Sequence, residues 1–424
     1  MTGQAMWRGF RRASQAALAV LAFMIGANAA AAPAVFEEAS EAVARWTGEP
    51  GRALVLLSRD PYLVPLPPPV RAKALGALGP SVSDVGRGAR WESADPPFLP
   101  ENAVRLALAT GRIGALVWVV PVPARLLADA RVEIVLDQMR DRGLISEGER
   151  ATFQVVQGWG RGHVEGVPTV IGFRLEEVGD ALGGRPYGMH VDLSYLSALY
   201  LDEVRTPVFG LLQDVARQIV SLAKGADGVT FSFSNGPLGV PLDFRFAGRR
   251  LLDVMQAPSV LEQPLPTSWR ERARALFLSS MLEVEGALTV CRELTGTDPG
   301  DPDAWYARFR AEAAAGRTEE ALRSLERAAT LDAAYGLEYA VQAGGALEAG
   351  DLVGALRMLD LALRYRPWDD LARLARAEVL VRLGHERAAG AVEEVRRLAW
   401  SPVFHPDAAA RVAALAEGLG ISSP

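Results

Sequence analysis

Cysteine is nearly absent from this chain, with Cys291 the single example in 424 residues. No intrachain disulfide can form, so the core must be held by packing. Lysine is almost as scarce: Lys73 and Lys224 stand alone among basic residues that are otherwise arginine. No basic block rises above the mild net charge of −6, so nothing points to nucleic acid. Long apolar runs are missing except near the N-terminus, and no membrane span is expected in the mature chain. No Gly-x-Ser-x-Gly elbow is present, which leaves acyl transfer by serine without support. GWGRG lacks the strand-to-helix context of a phosphate-binding loop.

The N-terminal segment has the order of a secretory signal peptide. Arg8, Arg11 and Arg12 precede an apolar run from Ala16 to Gly26, followed by small residues in ANAAAAPA. A signal peptide over residues 1–32 is expected, cleaved after Ala29 or Ala32, with a periplasmic or secreted product. The alternative is an uncleaved anchor, since Ala13 to Val35 nearly spans a bilayer core of about 30 Å. The twin Arg11-Arg12 lacks most of a twin-arginine export motif, and no Cys near the cleavage site offers a lipid anchor. The remaining chain of about 390 residues is enough for two or three domains.

The last third is periodic. Gly316, Gly350 and Gly384 are 34 residues apart (350−316 and 384−350), and so are Ala321, Ala355 and Ala389. A period of this length marks a helical-hairpin repeat. Trp305, Phe309 and Ala313 line one helix, and Ala321, Leu325 and Ala328 the next, with Gly316 between them at a cap that needs no Cβ. Tyr339, Gly350, Ala355, Leu359 and Ala362 repeat the pattern up to Pro367. Gly384, Ala388, Ala389, Val392 and Val395 repeat it again up to Pro402, and Asp407 to Leu419 reads as a closing helix. Upstream, Ala287, Leu288, Cys291 and Leu294 occupy second-helix positions, with Leu282 where the glycine belongs. His385 and His405 read as surface residues.

These positions resemble the tetratricopeptide repeat over about Ser268 to Trp400, within a helical domain, 268–424, that ends in a capping helix. The resemblance implies an all-α helical-hairpin solenoid that holds a protein or peptide partner. In that register Trp269, Arg272, Tyr306, Arg310, Glu378 and Arg382 face the binding groove.

From Ala34 to Gln263 strands alternate with helices. Ala53–Ser58, Ala115–Pro123, Met189–Leu196 and Val229–Ser234 read as buried strands, with helices over Glu101–Thr110 and Phe209–Lys224. FQVVQGW and PTVIGFRL supply further strand candidates. Such runs separated by helices indicate an α/β domain, three layers deep, around a parallel sheet. Ligands bind beyond the carboxyl ends of its strands. GWGRGHVEG, carrying His163 and Glu165, reads as a glycine-rich loop. In SFSNGPLG, Asn235-Gly236 reads as a turn suited to positive φ.

PENAVRLALATGRIGALVWVVP, MHVDLSYL and GVTFSFSNGPLGVPLDF together resemble an uncharacterised arginase-like family allied to the ureohydrolases and zinc deacetylases. The resemblance covers roughly Ala53 to Met255 and implies a binuclear metal site after two strands. The departures matter more. LVLLSRDPYLVPL offers Asp60 and no histidine, and Ser194 stands where a second aspartate would follow Asp192. Asp60, His163, His190, Asp192 and Ser194 are therefore read as a vestigial site with no catalytic residue, metal or other cofactor.

Three functions stay open on this sequence. The chain is an exported, non-catalytic protein- or peptide-binding scaffold acting through its repeats, or a metal-dependent amide or ester hydrolase whose repeats recruit substrate, or an α/β binder of a small polar ligand.

Overall fold

The structure, a computed structural model, describes residues 32–46, 51–77, 88–236 and 239–421. The signal-peptide expectation lies outside these residues apart from Ala32. Among the described residues no helix is long and apolar enough to cross a membrane.

The N-terminal half alternates strands and helices. β1 (Ala34–Phe36) leads into α1 (Ala39–Ala42), and β2 (Ala53–Leu57) into α2 (Pro68–Ala77) and α3 (Ala103–Ala109). β3 (Ala115–Val119) is followed by α4 (Val132–Asp141) and α5 (Glu147–Thr152). Three strands run together as β4 (Gln154–Val156), β5 (Trp159–Val164) and β6 (Val167–Gly172). Then come α6 (Val178–Leu182), β7 (Tyr187–Asp192), α7 (Leu193–Leu199), α8 (Val208–Ala223), β8 (Val229–Ser232) and α9 (Arg245–Gln256).

The eight strands form one sheet in the order β1-β8-β7-β2-β3-β6-β5-β4. β2 and β3 are buried along their whole length, as unbroken apolar runs in a central position must be. Side chains alternate between faces. Ala53, Val55 and Leu57 enter a core roofed by α7, α8 and α9, and Leu54 and Leu56 enter a second core under α1, α3 and α4.

The expected parallel sheet is in fact mixed: it is parallel from β1 through β6, while β5 and β4 run antiparallel. The cause is local. Gln157-Gly158 and Glu165-Gly166 each put two consecutive residues at positive φ (53° and 80°, then 50° and 74°). That is the backbone of a tight two-residue hairpin, where glycine at the second position costs nothing. GWGRGHVEG is accordingly strand and turn rather than loop, with His163 on β5. The expected strand Met189–Leu196 stops at Asp192, whose side chain accepts the Ser194 amide and starts α7.

From Thr267 the chain is all-helical. The helices are α10 (Thr267–Ser280), α11 (Val284–Thr297), α12 (Pro302–Ala314), α13 (Thr318–Leu331), α14 (Leu337–Glu348), α15 (Leu352–Tyr365), α16 (Asp370–Arg382), α17 (Ala388–Arg396) and α18 (Ala408–Gly418). Gly316, Gly350 and Gly384 take φ of 72°, 77° and 60°, which ends one helix and turns the chain into the next. Ala321, Leu325 and Ala328, with Ala355, Leu359 and Ala362, form the buried contact between helices.

Two positions depart from the sequence pattern. In the last pair Ala388 is buried while Ala389 is exposed, because α17 starts four residues after its glycine and not two. In α12 the buried residues include Phe309 and Glu312, and Ala313 is exposed. The Glu312 carboxylate accepts from Arg308 Nε (2.8 Å) and Ser324 Oγ (2.6 Å).

Leu282 adopts φ 62° at the glycine position of the first pair and is 84 % exposed. A leucine there pays for a left-handed backbone with no burial in return. Leu282→Gly is expected to stabilise the chain by about 1 kcal/mol. A urea midpoint that stays put or falls would refute this.

Candidate functional site

A cavity of about 550 Å³ opens at the carboxyl ends of the strands. Its lining comes from the segments after β1 (Glu38), β2 (Arg59, Asp60, Tyr62), β7 (Ser194) and β8 (Ser234, Gly236). Trp91, Glu101 and Arg142 close its sides. The structure thus brings Asp60 and Ser194 together in the cavity wall. Asp192 lies beneath it and His190 behind Asp192, both fully buried. His163 is elsewhere, exposed on β5.

The buried groups form a one-way chain of donors. Trp46 Nε1 donates to Thr230 Oγ1 (3.1 Å), which lies 2.9 Å from His190 Nδ1. His190 Nε2 is 3.0 Å from Ser232 Oγ, and Ser232 donates to Asp192 Oδ2. A hydroxyl has one proton to give. If Ser232 spends its proton on Asp192, His190 Nε2 must carry a hydrogen, and Nδ1 must accept from Thr230. Burial fits this neutral ring, pushing the His190 pKa down to about 4. Ser234 also donates to Asp192 Oδ2, and the Ser194 amide donates to Oδ1 at 2.8 Å. The Tyr62 phenol lies beside Asp192, Ser58 and Ser234. Burial, then the Asp192 charge, pushes the Tyr62 phenol well above its ordinary value.

This donor set does not fit the binuclear metal implied by the resemblance. Asp192 already accepts three or more hydrogen bonds, and Ser194 brings a hydroxyl where a charge is needed. Asp60 pairs with Arg59 (3.3 Å) and lies 3.6 Å from Arg142. A divalent ion must be repaid for its lost water by several anionic ligands. Among the described residues no cluster of three or more His, Cys, Asp or Glu is placed to hold one.

His190 also predicts a pH signature. The unfolded chain binds a proton below pH 6.5, which native His190 refuses until about pH 4. Its contribution is therefore complete above pH 6.5 and is lost as pH falls across that window, in total about 3 kcal/mol. Glu38 acts with the opposite sign. Burial, then the charges of Glu92 and Asp192, raises its pKa, so its contribution is lost as pH rises. The two oppose each other in the intact protein, and the difference between wild type and His190→Gln isolates the first. Wild-type stability should fall relative to the variant from pH 6.5 to 4. Parallel profiles would contradict the neutral, buried ring.

Two walls of the cavity are tied to the helical region. The first is the segment after β8. Ser234 sits at φ 49°, so the positive φ falls there and not at Asn235-Gly236. Asn235 is buried instead, donating to Val240 O and accepting from Arg245 Nη1 (2.6 Å). Arg245 grips Glu37 through two nitrogens (2.8 and 2.7 Å), donates to Asp332 (2.9 Å), and lies over the Phe233 ring at 3.7 Å. Arg249 extends the contact to Asp303 (3.1 Å) and Asp332, and Tyr335 donates to Asp303 (2.5 Å).

The second wall carries Trp91. Glu92 pairs with Arg366, the Ala94 amide donates to Asp370 (2.8 Å), and the Ser401 amide donates to Ala94 O (2.9 Å). His405 lies 2.8 Å from Ser93 O, half-buried and not a surface residue. Of the partners, Asp303 sits in the first turn of α12, and Asp332, Arg366 and Ser401 lie in the connections after α13, α15 and α17. One edge of the helical stack therefore docks on the α/β domain.

The six expected groove residues divide accordingly. Trp269 is buried, stacked on Phe209 (5.3 Å), and Arg272 lies over Phe246 (4.6 Å). Tyr306 is buried, donating to Glu338 (2.6 Å) and stacked on Tyr335 (4.6 Å). Arg310 and Arg382 are exposed, and the half-buried Glu378 pairs with Arg411 (2.7 Å).

Glu38, Tyr62, Trp91, Ser232, Ser234 and Arg245 were not singled out from sequence. Glu38 and the serines carried one available signal, since they end strand-like runs in VFEE and VTFSFS. No protein-family model and no curated protein matches this chain.

Proposed function

We propose that this protein binds a small polar ligand in the cavity at the strand ends, with the helical region acting first on its own α/β domain. The supporting observation is that both cavity walls, at Trp91–Ala94 and Ser234–Asn235, are anchored by successive inter-helix turns. Helix pairs at a 34-residue period with left-handed glycines favour a tetratricopeptide-like reading of that region. The strand-end aspartates favour a degenerate arginase/deacetylase-like reading of the α/β domain, in an exported chain. The chemistry favours binding over turnover. Asp192 is spent on internal donors, His190 is held behind it, and among the described residues no nucleophile stands free beside a base.

A protein or peptide partner is a second reading. It is favoured by Arg310, Glu378 and Arg382, which the α/β domain leaves uncovered.

Native mass spectrometry and metal analysis of full chain purified without chelators test the proposal. The expected result is a retained or added small molecule lost in Ser234→Trp, with substoichiometric zinc and manganese. Stoichiometric metal lost in Asp192→Asn, with a chelator-sensitive activity, would move the assignment to the hydrolase.

A further inference from the structure

Five non-glycine residues take a positive φ among the described residues. Gln157 and Glu165 turn hairpins, and Leu282 stands at a glycine position between helices. The other two, Tyr62 (φ 54°) and Ser234 (φ 49°), both line the cavity and both lie beside Asp192. A strained backbone persists only where its surroundings over-determine it, and such residues gather at ligand sites. Asp192 thus holds the cavity floor in one shape. Its own charge is met there by two hydroxyls and the Ser194 amide.

Two polar groups on the wall are left over. Glu38 is 9 % exposed, lines the cavity, and its carboxyl has no hydrogen-bond partner among the described residues. Buried carboxyls are ordinarily paired, and one that is not requires an explanation. The second is the Trp91 indole N–H, also without a partner among the described residues. A Cβ at Gly236 would lie 3.2 Å from Glu38 Oε1 and 3.5 Å from Trp91 Nε1. The carboxyl and the indole N–H edge therefore border one spot of the wall, which the glycine leaves open.

Charge decides what can pair with both. Burial, then the charges of Glu92, Asp192, Glu37 and Glu41, raises the Glu38 pKa well above the ordinary carboxylate range and favours the neutral acid. A cation needs the ionised form, and an anion meets the field of Asp192. At the mouth the charges are matched, with Arg59 and Arg142 set against Asp60 and its neighbour Glu101. A hydroxyl both donates and accepts, so it pairs with either form of a carboxyl and also accepts from an indole N–H. Two hydroxyls on adjacent carbons serve both groups at once, and further hydroxyls suit the mixed donors and acceptors of the mouth. We propose that the ligand is a neutral polyhydroxylated molecule of the monosaccharide class, with one hydroxyl paired to the Glu38 carboxyl and a neighbouring one accepting from Trp91 Nε1. This rests on the cavity being a ligand site.

The test is isothermal calorimetry of the full chain with glucose, galactose, mannose, xylose, myo-inositol and their deoxy and O-methyl derivatives, set against putrescine, the standard amino acids, succinate and propionamide. At least one of the neutral polyols should bind, and removing or methylating a single hydroxyl should weaken it about tenfold or more. Glu38→Met and Trp91→Phe should each weaken it by a similar factor. The melting temperature of Glu38→Met should stay at or above wild type, because the carboxyl it removes has no partner. Polyol binding that either variant leaves unchanged, or that no single hydroxyl affects, would overturn the proposal. If Glu38→Met fails to fold, the deoxy series on the wild-type protein decides. Binding confined to the amine, an amino acid, succinate or the amide, and abolished by Ser234→Trp, would overturn the proposal and leave the ligand site standing. Binding that Ser234→Trp does not touch, or none by any class, would remove both.

Discussion

Arg245→Met is expected to lower the unfolding free energy by about 3–5 kcal/mol. The guanidinium is 2 % exposed on its side chain, and it satisfies Glu37, Asn235 and Asp332 at once. Methionine keeps much of the stem that packs on Phe233 but takes from Glu37 its paired guanidinium and from Asp332 one of two. Breaking a buried charge network from one side costs more than the network is worth where the orphaned group stays desolvated, as Asn235 and Asp332 do; Glu37, 40 % exposed, rehydrates in part. Asp332 retains Arg249, which sets the lower end of the range. Since Arg245 joins β1, the β8 segment and the turn before α14, its loss should also separate the unfolding of the two halves. Chemical denaturation followed by calorimetry checks both effects. A loss below 1 kcal/mol with one sharp transition would show that the cluster contributes little.

Leu325→Asp should cost a comparable amount in the helical region, and Ala355→Trp somewhat less. Leu325 and Ala355 are both fully buried at the contact between helices. An aspartate at 325 would sit in an apolar cluster, buried or protonated, at a cost of several kcal/mol. A tryptophan at 355 must push apart helices spaced for a methyl group, at about 1–3 kcal/mol or more. Helix pairs that stack only on their neighbours spread such damage along the array. Circular dichroism melting should show early loss of helix in both variants. Unchanged melting would show that the 34-residue register has been misassigned.

Features set by local pattern were legible in the sequence. The glycines at 316, 350 and 384 marked the turns because a positive φ is demanded there, and the runs ALVLL and ALVWV marked central strands because both faces are buried. The turn pairs Gln157-Gly158 and Glu165-Gly166 were equally local, yet the glycines inside WGRGHV obscured the strand between them. Other features were not local at all. Arg245 meets Glu37 across 208 residues and Asp332 across 87, and nothing in the periodicity of α9 names those partners. The same holds for Trp269 and Tyr306. Their place on the first helices was visible, but the surface that buries them comes from elsewhere in the chain. At the cavity, Asp60, Asp192 and Ser194 were read from strand ends, whereas Glu38 and Trp91 needed the sheet order and a docked loop to bring them together.

The central claim is that the helical region holds the cavity walls in place from within the same chain. Hydrogen exchange of the full chain, compared between wild type and Arg366→Met/Asp370→Ala, tests it most directly. The Ala94 amide donates to Asp370, and the Ser401 amide donates to Ala94 O. The account predicts that both amides, and the backbone around Trp91, lose protection in the double variant while the amides of β2 and β3 keep theirs. Unchanged protection at Ala94 and Ser401 would mean that the walls stand without the helices, and would contradict it.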